Sequence, residues 1–571
     1  VNYPVWQLPF PGGILIALVA VTHVFVSHFA IGGGAFLVLT ERRAYRENDP
    51  SLLAYVRKHS RFFALLTLVF GALTGVGIWF TIGLVSPEAT SSLIHTFVWG
   101  WAIEWVFFFV EIISAIIYAK SWDKLPAREH LIVGWIYLVA AWLSLVVING
   151  IITFMLTPGT WLQTKRFADG FFNPTYFPSL LLRTAICILL AGAFGLVTVG
   201  RRKSAEREPG PPTSPTLACG GGEPGSPTSP TLACGGGEPG SPTSPTLACG
   251  GGEPGSPTSP TLACGGGRDK IVRWAAQWIV LGALLLPPLA VWYYHSIPEF
   301  SRAYLAGRLP VAQHLARGGL AFAALAMLGA LVFGVWKPRW MRMPQIVILL
   351  VLGFGVIASF EYLRELVRKP WAINDYIYAN DVRAEAIERY REAGMLKAAK
   401  FLVSEDPDSA AYGQNIFAIQ CARCHSIDGE RAMRPRVRGW DAGFASDMLA
   451  HLEVTRGTMP RFAGNEQDRA ALGRYLASLN PALTSAASAP KEYGRQIFEI
   501  RCGSCHTIDG PFRPLKNALR GAPAEQIEAL LPVLDSMSPN MPHFSAPDSQ
   551  AHALAGYMAH ALAEEPAKEA R

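Results

Sequence analysis

Charge is scarce in this sequence: Asp, Glu, Lys and Arg make up 16% of 571 residues while 50% are hydrophobic, too apolar a balance for a chain built only of water-soluble domains. The N-terminal end lacks a basic start and a small-residue cleavage site, and its first apolar run is too long for a removable leader, so that run is expected to remain as a membrane helix. Disulfides lack material. Of nine cysteines, Cys219, Cys234, Cys249 and Cys264 repeat in a low-complexity array, Cys187 lies in an apolar stretch, and the other four belong to two short motifs described below. The net charge of +7 calls for no nucleic acid, because the basic residues are distributed as a membrane protein distributes them.

Eight apolar stretches reach the ~20 residues that a spanning helix needs. They are expected near 13–39, 62–84, 93–119, 130–156, 178–199, 271–294, 315–336 and 344–366. The loops after the first, third, fifth and seventh carry the basic residues, among them Arg42, Arg43, Lys120, Lys124, Arg201, Arg202, Lys337 and Arg339. Those loops are expected to face the cytoplasm, which puts the N-terminus and the C-terminal region on the outer side of a bacterial inner membrane.

Residues 204–268 hold the unit SPTSPTLACGGGEPG at a period of fifteen. Four cysteines in register admit a metal site, but without histidines or C-x-x-C pairs the expectation is a disordered cytoplasmic insertion. Residues 376–407 read as a charged helical linker, followed by two related segments, 408–483 and 490–565. "YGQNIFAIQCARCHSIDG" and "YGRQIFEIRCGSCHTIDG" align without a gap, as do "TMPRFAG" and "NMPHFSA". Each contains C-x-x-C-H: Cys421, Cys424 and His425, then Cys502, Cys505 and His506. Two thiols so spaced form thioethers to porphyrin vinyl groups, and the adjoining histidine ligates the iron. Met459 lies 34 residues after His425 and Met541 lies 35 after His506, each in an M-P-x-F setting, which makes them the expected second axial ligands. These segments resemble class I cytochromes c. Saturated His/Met coordination implies electron relay rather than substrate chemistry.

Ionisable residues inside apolar helices cost about 2.5–3.5 kcal/mol each and mark candidate sites. Glu104 and Glu111, seven apart, share one helix face as a proton path requires. His23 and His28 lie in the first stretch; Glu361 and Glu365 lie one turn apart near the end of the eighth, with Arg364 and Arg368 close by. His28, His95, His295 and His314 admit two readings, ligands of a displaced haem or interfacial hydrogen-bonding residues.

Together "ALVAVTHVFV", "GALTGVGIWF", "AIEWVFFFVEI" with "SWDKL", "INGIITFMLTP" and "RKPWAI" make residues 1–375, the array aside, resemble subunit I of the cytochrome bd quinol oxidases. The resemblance implies that His23 and Glu365, or Glu361 if a short insertion shifts the register, hold membrane haem iron. It implies one or two non-covalent haems of b or d type there, Glu104 and Glu111 on the proton route, and a second membrane subunit. The chain departs from the family where the quinol-side haem would be held: Arg183 and Gly319 stand at the matched positions, and "HSIPEFSRAYLAGRLPVA" replaces a long quinol-binding loop. The expected protein is all-α, a membrane bundle of about eight helices followed by two small helical cytochrome c domains. Two covalent c-type haems would exchange electrons with an external c-type cytochrome or other carrier and feed a bd-like centre reducing oxygen. Two alternatives stay open, an electron-transfer subunit of a larger complex without oxygen chemistry and a quinol:cytochrome c reductase. Membrane lipid is the other expected partner.

Overall fold

The computed structural model describes residues 6, 8, 10–200, 266–399, 406–455, 458–479, 490–510 and 512–563; the four cysteines of the array and nearly all of the expected insertion lie outside them. Eight helices are long and apolar enough to cross a membrane. They are α1 (Gly12–Arg46), α2 (Pro50–Val85), then, after the short helix α3 (Pro87–Thr96), α4 (Val98–Lys120), α5 (Ala127–Phe154), α6 (Tyr176–Gly200), α7 (Gly266–Ser296), α8 (Pro310–Trp336) and α9 (Met343–Arg368). The first two run well past their expected limits toward the turn that joins them. Asp49 ends that turn, its carboxylate accepting from the backbone of Ser51 and Leu52 ahead of Pro50 in the first helical position. Lys270 reaches it from α7 at 2.6 Å, and that bond holds the Asp49 carboxyl below its usual range.

The most enclosed helix is α6, which packs against α1, α2, α5, α7 and α9. The contact with α1 is close: a Cβ on Gly32 would lie 1.9 Å from the Cys187 carbonyl oxygen, so only a residue without a side chain lets the two backbones meet. A π-helical turn, Leu66–Gly71, interrupts α2 just before the residues that face His23.

The segment expected as a helical linker, 376–407, is described at residues 376–399 and 406–407 and is only partly helical there; with residues 371–375 before it, its start is folded otherwise. Residues 371–399 form a hairpin, β1 (Trp371–Ile373) with β2 (Ile377–Tyr378), and then one short helix, α10 (Ile387–Ala393). Asp375 and Asp381 take left-handed backbone conformations (φ 53° and 63°), which turn the chain and stop a helix from starting earlier. The hairpin enters two hydrophobic cores. Ala372, Ile373 and Ile377 belong to the core of the membrane bundle. Tyr378, Val382, Ile387, Tyr390, Met395 and Leu396 belong to the core of the next domain.

That domain is built on α11 (Ala410–Gln420), α12 (Ala442–Ala450) and α13 (Glu466–Ser478). The last is built on α14 (Pro490–Arg501), α15 (Ala524–Leu530) and α16 (Asp548–Ala563). In each, the first and last helices cross at a glycine. A Cβ on Gly413 would sit 2.4 Å from the Ala471 carbonyl oxygen, and one on Gly494 would sit 2.2 Å from that of Ala553.

Candidate functional site

The attachment motifs follow directly from α11 and α14. Each helix hands its last turn to the motif: Cys421 N–H donates to the Phe417 carbonyl and Cys502 N–H to that of Phe498, both at 2.8 Å. His425 N–H then donates to the Cys421 carbonyl at 2.9 Å and His506 N–H to that of Cys502 at 2.8 Å, folding each pentapeptide into one tight turn. The imidazole Nδ1 of His425 lies 3.1 Å from the Arg431 carbonyl, and that of His506 lies 3.1 Å from the Arg513 carbonyl. With the proton on Nδ1 donated to a carbonyl, Nε2 keeps its lone pair for iron and the ring is fixed in orientation. Burial, with the nearby Arg436 and Arg431 charges adding to it, holds the His425 imidazole below its usual range and so keeps it neutral, the state that binds metal. The four motif cysteines form no disulfide. These residues fit covalent haem. Met459 and Met541 lie half-buried at matching places in the two domains.

Within the bundle, His23 is half-buried on α1 and its Nδ1 contacts Thr74 Oγ1 at 3.0 Å. A Cβ on Gly75 would come 3.2 Å from its ring, so the small residues of α2 make the space that the imidazole occupies. The orientation by Thr74 leaves Nε2 for a ligand, and His23 therefore fits the role. Glu104 accepts from Ser144 Oγ and Glu111 from Tyr137 Oη, both at 3.1 Å. The two carboxylates on α4 and their two hydroxyl partners on α5 share the seven-residue spacing, so one helix–helix seam carries all four groups. Glu41 was missed from sequence because it lies at the charged end of α1. It is fully buried, accepts from Tyr118 Oη at 2.6 Å and bonds His130 at 2.8 Å.

Arg183, 2% exposed in mid-helix α6, places Nη2 2.7 Å from Glu361 Oε1 and Nη1 3.5 Å from His28 Nε2. His28 Nδ1 bonds the Val24 carbonyl, so its Nε2 is the acceptor and the ring is neutral. Arg364 adds a second guanidinium to Glu361 at 3.2 Å. A carboxylate so engaged is poorly placed to ligate iron, and sequence spacing alone gives no sign of it. Glu365, whose side chain is 34% exposed, pairs with Arg368 and, at 3.0 Å, with Lys369. A Cβ on Gly319 would meet Ser359 of α9 at 3.1 Å, so α8 and α9 close together there. His95, His295 and His314 are exposed near helix ends.

A multi-helix membrane bundle joined to a module that presents Cys-x-x-Cys-His for haem defines a class, the membrane-bound haem proteins of electron transport, with oxidoreductase function. Residues 14–207 match the family model described as cytochrome bd terminal oxidase subunit I, and residues 408–476 match that of cytochrome c oxidase, cbb3-type, subunit III. Among solved structures, that of the bd oxidase from Geobacillus thermodenitrificans is similar at 14% identity, covering 63% of this chain and 87% of that chain with a TM-score of 0.46. No curated protein matches. The chain is thus a multi-pass membrane protein whose bd-type and c-type regions imply haem cofactors and electron exchange with redox partners.

Proposed function

We propose that this chain is a haem-dependent terminal oxidoreductase in which two c-type motifs take electrons from an external c-type cytochrome or similar carrier and serve a bd-like membrane centre that reduces oxygen. When bound, the haem groups supply one-electron transfer and, at the membrane site, oxygen reduction. Cys421, Cys424, Cys502 and Cys505 would anchor the two covalent groups, and His425 with Met459, and His506 with Met541, would ligate their iron. His23 would hold membrane iron, with Glu365 as the carboxylate that the family register matches, or Glu361 if a short insertion shifts it; each carboxylate is paired with two basic side chains, and Glu365 is the more exposed of the two. Glu104 and Glu111, backed by Ser144 and Tyr137, hand protons inward along the seam between α4 and α5. The c domains lie on the outer side of a bacterial inner membrane, residues 1–375 form the bd-like part, and a second membrane subunit completes it.

The single observation carrying this reading is the Arg183–Glu361–His28 cluster. At the place where the family resemblance puts the ligand of the quinol-side haem, Arg183 is buried and engaged by Glu361 and His28, which supports the reading that this haem is not held there. On that reading the c motifs are the entry for electrons. The test is a redox-titrated haem spectrum together with an oxygen electrode, using a reduced c-type donor and, separately, a quinol analogue. Oxygen uptake with the c-type donor alone is the expected result. Membrane haem without oxygen uptake makes the chain an electron-transfer subunit, and inhibitor-sensitive reduction of the c haems by the quinol analogue makes it a quinol:cytochrome c reductase.

A further inference from the structure

Arg423 stands between the two cysteines of the first attachment motif, yet its side chain is only 4% exposed and forms an ion pair with Asp381, itself 2% exposed. Asp381 belongs to the turn after β2, and its carboxylate reaches across to the membrane bundle. Oδ1 accepts from Ser86 Oγ at 2.6 Å and Oδ2 from Glu88 N–H at 3.0 Å, at the start of α3 in the loop between the second and third membrane helices. Its neighbours reach the same two places. Asn380 donates to the side chain of Gln420, the residue just before Cys421, at 3.0 Å, and Arg383 binds Glu88 at 2.8 Å. The left-handed conformation of Asp381 lets these neighbouring side chains point to opposite partners.

The second motif is fastened differently. Its position matching Arg423 is Ser504, and its position matching Gln420 is Arg501. Arg501 reaches the first c domain, 3.2 Å from Asp441 and 4.2 Å above the Phe444 ring, while His451 of the first domain bonds the Pro539 carbonyl of the second at 2.9 Å. Each unit is thus fastened to the one before it by the residues around its own cysteines. Two buried charges lose several kcal/mol of hydration apiece; the Asp381 carboxylate recovers part of that through Ser86 and the Glu88 N–H, while Arg423 depends on the ion pair itself, its Nε having no hydrogen-bond partner.

We propose that Arg423 and Asp381 are positioning residues: a clamp that fixes the first attachment motif against the end of the bundle carrying α3, so that electrons pass from that motif to the membrane site. This rests on the reading above that both motifs carry haem and that electrons enter through them. The test uses the full-length holoprotein and the variants Arg423→Gln, Asp381→Asn and Arg423→Lys, with backbone hydrogen exchange at Glu88 as a readout independent of turnover. In Arg423→Gln and Asp381→Asn, exchange at Glu88 is expected to quicken at least tenfold. Reduction of the membrane site from the c motifs is expected to slow at least tenfold, while reduction of the second motif by a reduced c-type carrier keeps its wild-type rate. Arg423→Lys, which keeps the charge, should restore most of both. Unchanged exchange, wild-type internal transfer despite faster exchange, or an equal slowing of the carrier step would each overturn the clamp. If the parent protein itself shows no transfer from c motifs to membrane haem, the functional reading fails instead, and the exchange readout still tests the clamp.

Discussion

In the first c-type repeat Gly413 lies against the Ala471 carbonyl and Phe417 against Tyr475, with ring centroids 5.9 Å apart; in the second, Gly494 and Phe498 meet Ala553 and Tyr557 in the same way, at 5.8 Å. The motif turns and the histidine-to-carbonyl bonds repeat as closely. Differences begin away from the motif. Asp468 is fully buried in the first repeat, accepting from Tyr412 Oη at 2.7 Å and from the backbone of Met395 at 2.6 Å, where the second has Gln550. The first core is also large, filled out by the segment after the hairpin, whereas the second is small and self-contained. The crossing and the motif turn are thus common to the two repeats, while their surroundings differ with their neighbours.

Four sets of substitutions sharpen or break this equivalence. The largest effect belongs to the motifs themselves: changing both cysteines of either one to alanine should remove one of two covalent haems, halving the haemochrome signal per chain whichever motif is chosen, and a full signal from either variant would disqualify that motif. Next come the helix crossings. Gly413→Val and Gly494→Val each push a side chain into a carbonyl and should cost about 1–3 kcal/mol or more, to a similar degree, in denaturant melts followed by haem absorbance. Asp468→Asn breaks the symmetry: it should cost about 1–3 kcal/mol, whereas Gln550→Ala stays within ~0.5 kcal/mol in the same melts. Smallest is the exposed pair of Arg434 with Asp428, where Arg434→Ala should leave the melting midpoint of the first domain nearly unmoved, whereas the corresponding pair of the second domain involves the buried Lys516.

What could be read from the sequence was whatever is local or compositional. The eight spans follow from apolar length, and the attachment turns follow from five consecutive residues. The shared face of Glu104 and Glu111 follows from helical period, but their partners Ser144 and Tyr137 sit on another helix and leave no mark near them in the chain. Arg183 stood out as a charge inside an apolar run; that it is answered by Glu361, 178 residues later, requires the packing of α6 on α9. The hairpin at 371–378 was hidden because alternating charges downstream imitate a solvated helix, while the residues that decide its shape, Asp375 and Asp381, act through backbone conformation. Asp381 and Arg423 each look like ordinary surface charges until the two cores they join are present.

The hairpin also sets where the molecule divides. Because Trp371 packs against the second core and stacks on Tyr378 at 3.9 Å while Ile373 and Ile377, which follow it in the chain, complete the first, no cut between residues 371 and 382 yields two intact pieces. A soluble fragment started at 408 would expose the apolar faces that Ile387, Tyr390, Met395 and Leu396 now cover. Melting of the first c domain and fraying of the adjoining end of the bundle should accordingly form one cooperative event, with the second domain free to unfold by itself.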